Sequence, residues 1–188
     1  MEQALWYAPA GTEPVENVPF MRSNAFEPIK QECQTVRTGV GVCDISSFAK
    51  YEVTGARAES WLDHILANTL PRQGRLALSP MLNQEGKLIG DFTVGRLGDR
   101  RFFIFGSGMG EEYHMRWFEQ HLPADASVRI HAHGMGLLGL SIAGPKARDL
   151  LCRLTDDDVS AEAFRFMDFR SLDLGLIPTL AARVSFTG

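Results

Sequence analysis

A chain of 188 residues is long enough to bury a hydrophobic core, either as one domain or as two small interwoven ones. A hydrophobic content of 45% excludes an intrinsically disordered protein. The formal net charge of −4 argues against a protein that binds nucleic-acid phosphates generally, so we expect no nucleic-acid partner.

Targeting signals and cysteines bear on the cellular compartment in which the protein is expected. Residues 1–7 have neither the basic region nor the apolar core of a signal peptide, and no apolar run is long enough to span a bilayer. We therefore expect no membrane partner. The odd cysteine set, Cys33, Cys43 and Cys152, has no Cys-x-x-Cys pair and fits reduced thiols in a cytosol-like compartment. This favours the cytoplasm, or the mitochondrial matrix if the source is eukaryotic.

The predicted elements alternate between helices and strands. Residues 1–19 are expected to form an irregular arm, because four prolines and glycines interrupt any periodicity there. Helices are predicted over 26–37, with Asn24 as N-cap, and over 56–66, 111–122 and 144–154. Strands are predicted over 48–54, 76–82, 87–96, 101–105, 127–133, 136–143, 169–174 and 179–186.

The segment 83–96 is the most informative part of the chain. A polar turn over 83–86 is followed by an alternating strand, in which Phe92 and Val94 point one way and Asp91 and Thr93 the other. An aspartate in the middle of a strand is disfavoured and is costly to bury without a partner. From spacing alone its position favours a solvated outer face or a capped turn, and the alternative is a carboxylate that meets a cationic substrate.

Two segments of the sequence resemble each other. Residues 53–62 and 142–151 each read as a strand, a glycine at the turn, an alanine three residues on, and a helix. Two such units predict two α+β layers rather than one continuous parallel sheet. Neither unit contains the glycine pattern of a phosphate-binding loop.

Other candidate chemistries are weaker. His131 and His133 share one side of a strand, but no further ligand at a suitable spacing supports a metal site. Ser107 lacks the first half of a nucleophile elbow, and Cys43 has no nearby base, so a buried, inert thiol is expected. The helical histidines are expected at surface or boundary positions: His64, His114 and His121.

Several stretches together carry a resemblance to a known family. They are Phe-Met-Arg-Ser at 20–23, the run Val36–Gly55, Met-Leu-Asn-Gln-Glu-Gly at 81–86, Gly-Pro at 144–145 and Arg-Val-Ser-Phe-Thr-Gly at 183–188. In order and spacing the chain resembles the aminomethyltransferase (glycine-cleavage T-protein) family. It is more closely similar to the folate-binding C-terminal region of dimethylglycine and sarcosine dehydrogenases.

The resemblance implies the fold class. It is α+β, with mixed or antiparallel sheets and helices, and comprises the first two parts of an aminomethyltransferase-like folate-binding fold in a truncated form. Residues 20–188 would be that region, with two interleaved α+β subdomains and the C-terminal third missing. An exposed apolar face is expected where that third would pack.

The resemblance also implies a function and a site. Tetrahydrofolate would bind and capture a methylene unit from an iminium made at a flavin, with FAD held in an absent N-terminal domain. Asp91 would be the catalytic residue that holds the folate amine and stabilises the cationic one-carbon unit. Arg183 and Phe186 would line the far wall of the site, and Phe48 and Ser107 are further candidates.

Some positions depart from the glycine-cleavage pattern. Leu78 stands where those proteins carry a tyrosine, Phe105–Ser107 replaces Val-Asn-Ala, and Phe186 replaces another tyrosine. The first two departures resemble the dehydrogenase branch. The implied partners are folate, a methylated amine and an FAD oxidoreductase domain or subunit. The alternative is a docking or assembly module of the same fold that binds no folate.

Overall fold

The computed structural model describes residues 4–185. Its helices are α1 (Phe26–Thr38), α2 (Ala58–Ile65), α3 (Glu111–Gln120) and α4 (Ala147–Leu151). Its strands are β1 (Gly41–Asp44), β2 (Ala49–Thr54), β3 (Leu76–Leu82), β4 (Leu88–Gly98), β5 (Arg101–Gly106), β6 (Arg129–Ala132), β7 (Leu140–Ala143), β8 (Phe169–Leu174) and β9 (Ile177–Ala182). None of the helices within 4–185 is long and apolar enough to cross a membrane.

The strands form three antiparallel sheets. The largest has five strands in the order β3-β4-β5-β2-β6, and a second sheet consists of β1 and β7. The third is the hairpin β8-β9. Antiparallel sheets combined with helices confirm the predicted α+β class.

The five-stranded sheet buries most of one face against helices α2 and α3. Phe92 and Val94 of β4 lie on this face and are almost fully buried, as the alternation of β4 predicts. They pack with Tyr51 of β2 and Phe118 of α3, whose rings lie 5.2 Å apart at a steep angle. The helix α2 adds the apolar face that its periodicity predicts: Trp61, Leu62, Ile65 and the following Leu66.

The opposite face of the same sheet is covered only at one end. There Leu76 and Phe103 pack with Phe169 from the β8-β9 hairpin. Gly95 allows this close approach, because a Cβ atom at that position would lie 2.5 Å from the ring of Phe169. The other end of the face is left open by the hairpin and contains the segment around Asp91.

The two similar sequence segments fold alike, in different sheets. Gly55 follows β2 at φ 132° and Gly144 follows β7 at φ 115°, a region that favours glycine. A Cβ atom would lie 2.1 Å from the Ser127 carbonyl oxygen in the first case and 2.4 Å from that of Gly39 in the second. Each turn leads directly into a helix, α2 or α4.

Several boundaries differ from the sequence prediction. Residues 41–44 form a separate strand, β1, which pairs with β7 instead of leading into β2. Helix α4 is much shorter than 144–154, and a short 3₁₀ turn at Gly134–Gly136 separates β6 from β7. Asn24 does not cap α1; its side chain instead accepts from the Asn17 N–H and donates to the Val15 carbonyl. The strand predicted over 179–186 is β9, which begins two residues earlier and already ends at Ala182. Residue 186 of the predicted strand lies outside the described part of the chain.

Two side-chain predictions were wrong. Cys43 is exposed rather than buried, because β1 lies at the surface of a two-stranded sheet. His114 is buried rather than exposed, because α3 turns it toward the core beside Phe92. The Tyr51 hydroxyl lies 3.3 Å from the Nδ1 atom of His114. Burial lowers the pKa of His114 below its ordinary value.

The helix α3 allows a direct test of the buried face. We expect Phe118→Ala to lower the free energy of unfolding by about 3–5 kcal/mol, since it deletes a fully buried ring. Tyr113→Ala is the matched control on the same helix, where the ring is 49% exposed, and should cost less than about 1 kcal/mol. Urea unfolding followed by circular dichroism measures both. Equal losses would contradict the assigned orientation of α3.

The burial of His114 predicts a pH dependence of stability. In the unfolded chain the imidazole has a pKa of about 6.5, and burial lowers the pKa of His114 in the folded chain. As the pH falls, the unfolded chain therefore binds a proton that the folded chain does not yet bind. The free energy of unfolding should therefore decrease as the pH is lowered through about 6.5. His114→Gln should flatten this dependence, and His64→Gln, at an exposed position, should leave it unchanged. Urea titrations across this pH range measure it.

Candidate functional site

Asp91 lies in the middle of β4, opposite Pro80 of the edge strand β3. Its side chain is exposed, on the sheet face opposite to Phe92. Within 4–185 the structure gives its carboxylate neither a hydrogen bond nor an ion pair. The carboxylate is therefore available to a ligand, and no described residue of the protein offsets its charge.

A row of side chains beside Asp91 crosses four strands on the same face. Strand register places Leu78 opposite Thr93, Thr93 opposite Phe105, and Phe105 opposite Lys50. Thr93 is two residues from Asp91, so the two side chains share a face. Leu78 is 62% exposed and Phe105 is partly buried. Phe105 packs against Phe169 of the hairpin, so the open part of the face presents Leu78 and Thr93 beside the Asp91 carboxylate.

Two turns close the end of this face. A Cβ atom at Gly106 would lie 3.9 Å from the Asp91 carbonyl oxygen, which places the end of β5 beside Asp91. A Cβ atom at Gly108 would lie 1.7 Å from the Ser47 carbonyl oxygen, so the turn after β5 is in contact with the turn before β2. Ser107 lies in the turn after β5. Its backbone is extended, so its side chain continues the alternation of side chains along β5.

Phe48 lies in the second turn, immediately before β2. Its ring is 49% exposed, and its backbone N–H donates to the Ile45 carbonyl at 3.1 Å. The converging backbones therefore bring Phe48, Ser107 and Asp91 to the same end of the sheet, with Leu78 beside them.

Lys50 is a charged residue of this face that the sequence prediction missed. It is 3% exposed, and its ammonium donates to the carbonyls of Ser46 at 2.7 Å and Phe48 at 2.8 Å. Burial lowers its pKa, and the charges of Glu111 and Asp44 oppose that shift. The sequence signal was the same as for Asp91, namely a charge inside a strand.

Arg183 does not join this group. Its guanidinium donates to the Phe164 carbonyl, and its backbone pairs with Met167 and Asp168. Met167 packs in the cluster of Leu76 and Phe169, at the covered end of the face, and the structure describes no contact between Arg183 and Asp91. Phe186, the other residue expected at the far wall, lies outside the described residues.

His131 lies in β6 and His133 directly follows it, where the His133 N–H donates to the Lys50 carbonyl at 2.8 Å. The rings of His131 and His133 are 4.7 Å apart, and Nε2 of His133 lies 3.2 Å from Glu52. Glu52 also forms an ion pair with Arg101 at 2.6 Å, so its carboxylate joins the arginine and the histidine in one hydrogen-bonded group. The described residues include no group of three or more His, Cys, Asp or Glu side chains that could hold a metal ion.

The fold and this face together define an α+β module with a partly open sheet face on which the described residues leave the Asp91 carboxylate unpaired. Comparison with known proteins then identifies the family. The family model described as GCVT N-terminal domain matches residues 1–188. The chain belongs to this family, which confirms the resemblance of its motifs.

Individual relatives agree with this assignment. Mitochondrial dimethylglycine dehydrogenase from Mus musculus is 35% identical over 191 residues, which cover 100% of this chain and 22% of that protein. Sarcosine oxidase subunit alpha from Rhizobium meliloti (strain 1021) is 30% identical over 198 residues, which cover 100% of this chain and 19% of that protein. The chain thus spans about a fifth of the length of these curated relatives.

A solved structure shows the same fold. The glycine cleavage system aminomethyltransferase T from Bartonella henselae superposes with a TM-score of 0.71 at 20% identity. The match covers 85% of this chain and 42% of that chain. At this identity the match establishes the fold alone, so the chemistry must be argued from the residues of this chain.

Proposed function

We propose that this chain is the tetrahydrofolate-dependent one-carbon transfer module of an FAD-linked dehydrogenase for a methylated amine of the dimethylglycine or sarcosine type. The observation that carries the proposal is Asp91, an unpaired and exposed carboxylate in the middle of a strand on the open face. Aspartate has a low propensity for strand positions, and a carboxylate that no protein group pairs with is free to accept hydrogen bonds from a ligand.

The residues of the open face fit reduced folate. The ring system of tetrahydrofolate is flat and partly apolar and carries N–H donors, and its amine nitrogens supply the atoms that accept a one-carbon unit. Leu78 and Phe48 offer exposed apolar surface to such a ring, and the Asp91 carboxylate offers an acceptor for N–H groups. The Ser107 hydroxyl is a further candidate for a polar contact.

Asp91 would contribute in two ways. Its carboxylate would accept a hydrogen bond from a ring amine and so orient the ring on the sheet. The same negative charge would stabilise positive charge that develops on the one-carbon unit, an effect that is larger when the bound ring excludes water. The rigid strand β4, anchored by Phe92 and Val94 on its other side, would hold the carboxylate in place.

The far wall of the site is proposed from the family resemblance. Arg183 and Phe186 stay candidates for it, although Arg183 is held at the covered end of the face by the Phe164 carbonyl. A role for Arg183 would therefore require this contact to be exchanged for one with the ligand.

FAD and the methylated amine would be bound outside this chain. Because the chain spans about a fifth of its curated relatives, we assign the oxidation of the amine to an FAD domain or subunit of the parent assembly. A reactive iminium would then have a short path to the open face. The proposed location is the cytoplasm, or the mitochondrial matrix in a eukaryote.

Replacing Asp91 tests the proposal. 5-Formyltetrahydrofolate should raise the melting temperature of the chain, since a ligand that binds only the folded state stabilises it. We expect Asp91→Asn to weaken binding by about 10- to 100-fold, because a charge-assisted hydrogen bond is lost. Asp63→Asn, an exposed carboxylate on α2, is the matched control and should bind as the unmodified chain does. Isothermal titration calorimetry gives the affinities.

The alternative is a docking module that binds no folate. A cooperative melt with no ligand shift in the unmodified chain would contradict the proposal and favour this alternative. If the Asp91→Asn and unmodified chains bound folate with equal affinity, folate binding would not depend on Asp91.

A further inference from the structure

The buried ammonium of Lys50 forms no close ion pair among the described residues, although the charges of Glu111 and Asp44 act on it from farther away. Its two hydrogen-bond acceptors are the backbone carbonyls of Ser46 and Phe48, at 2.7 and 2.8 Å. Burying an ammonium in this way costs free energy, which hydrogen bonds offset only if their geometry is good. A methionine of similar length would fill the same space without that cost, so the charge calls for an explanation.

The two carbonyls belong to the turn 45–48, which carries Phe48 at the end of the open face. Backbone hydrogen bonds hold the Ile45 end of this turn: the N–H groups of Ile45 and Ser46 donate to the Gly139 carbonyl and to Oδ1 of Asp44, both at 2.8 Å. The Phe48 N–H donates back to Ile45 at 3.1 Å, and the hydroxyl of Ser46 accepts from the Gly139 N–H at 3.1 Å. The ammonium is the group that ties both ends of the Ser46–Phe48 segment to strand β2.

Lys50 lies on the same sheet face as the candidate site. It faces Phe105 across the β2-β5 pair, and Phe105 in turn faces Thr93, the neighbour of Asp91 on that face. The turn therefore folds back over the Lys50 side chain, and Phe48 stays exposed at the surface of the site. The carbonyl of Ser47, between the two acceptors, also touches the turn that carries Ser107.

We propose that Lys50 is a positioning residue: its ammonium fixes the turn 45–48 and so holds Phe48 in place as one wall of the ligand face. The value of this wall for folate rests on the proposed function. The positioning of Phe48 does not, because it is a property of the chain without ligand.

Fluorine NMR tests the positioning directly. 4-Trifluoromethylphenylalanine at position 48 should give one narrow resonance in the otherwise unmodified chain. In Lys50→Met the resonance should broaden or move toward the value of an unfolded chain, because the turn loses its tie. Lys30→Met is the control, since Lys30 is an exposed lysine of α1 that pairs with Glu27. An unchanged resonance in Lys50→Met would overturn the proposal.

A second variant guards against a folding failure. If Lys50→Met does not melt cooperatively, Lys50→Gln takes its place, because the amide can still donate a hydrogen bond but carries no charge. The turn should then loosen in part. A Lys50→Gln spectrum identical to that of the unmodified chain would contradict the role of the ammonium.

The link to the ligand is tested by a double-mutant cycle. We expect Lys50→Met to weaken binding of 5-formyltetrahydrofolate by about tenfold, and to have less than about a twofold effect when Phe48→Ala is already present. Fully additive effects would contradict the route through Phe48. If the unmodified chain binds no folate while the fluorine signal still depends on Lys50, the proposed function fails and the positioning role stands.

Discussion

The burial of one face of the five-stranded sheet determines nearly everything else in the structure. Side chains alternate along a strand, so the seating of Phe92 and Val94 in the aromatic core necessarily places Asp91 and Thr93 on the opposite face. A slip of one residue would drive the Asp91 carboxylate into the cluster around Phe118, at a large cost. The core thus fixes the position of the carboxylate from the other face of the sheet.

The sequence predicted elements well where burial imposes a strict period. Strand β4 and helix α2 each bury one face, and the sequence located the ends of both to within two residues. It failed for β1, whose partner β7 lies far along the chain and whose four residues are all partly or fully exposed. Such a strand is defined by its pairing, and pairing between distant segments leaves little periodicity in either.

The candidate site shows the same division. Asp91 could be singled out because a lone charge in an apolar strand is a conflict visible in the sequence itself. Lys50 presents the same conflict but was missed, because its compensation comes from backbone carbonyls of a turn, which any residue type supplies. His114 was misplaced because rings from distant strands, Tyr51 and Phe92, create its buried setting.

Lys50 and Asp91 lie on the same sheet face, but Lys50 is buried and hydrogen-bonded whereas Asp91 is exposed and unpaired. This difference bears on function. Lys50 is buried, and its ammonium donates hydrogen bonds to backbone carbonyls of the same chain. Its charge therefore contributes to the structure of the chain and does not face a ligand. Asp91 is open and unpaired, so the free energy available from its charge is not used by any described residue. Family membership alone would not assign chemistry to this chain, because one fold supports many functions. The unpaired charge on a rigid strand, beside the exposed Leu78, is therefore the basis of the proposal that a ligand with N–H donors and developing positive charge binds here.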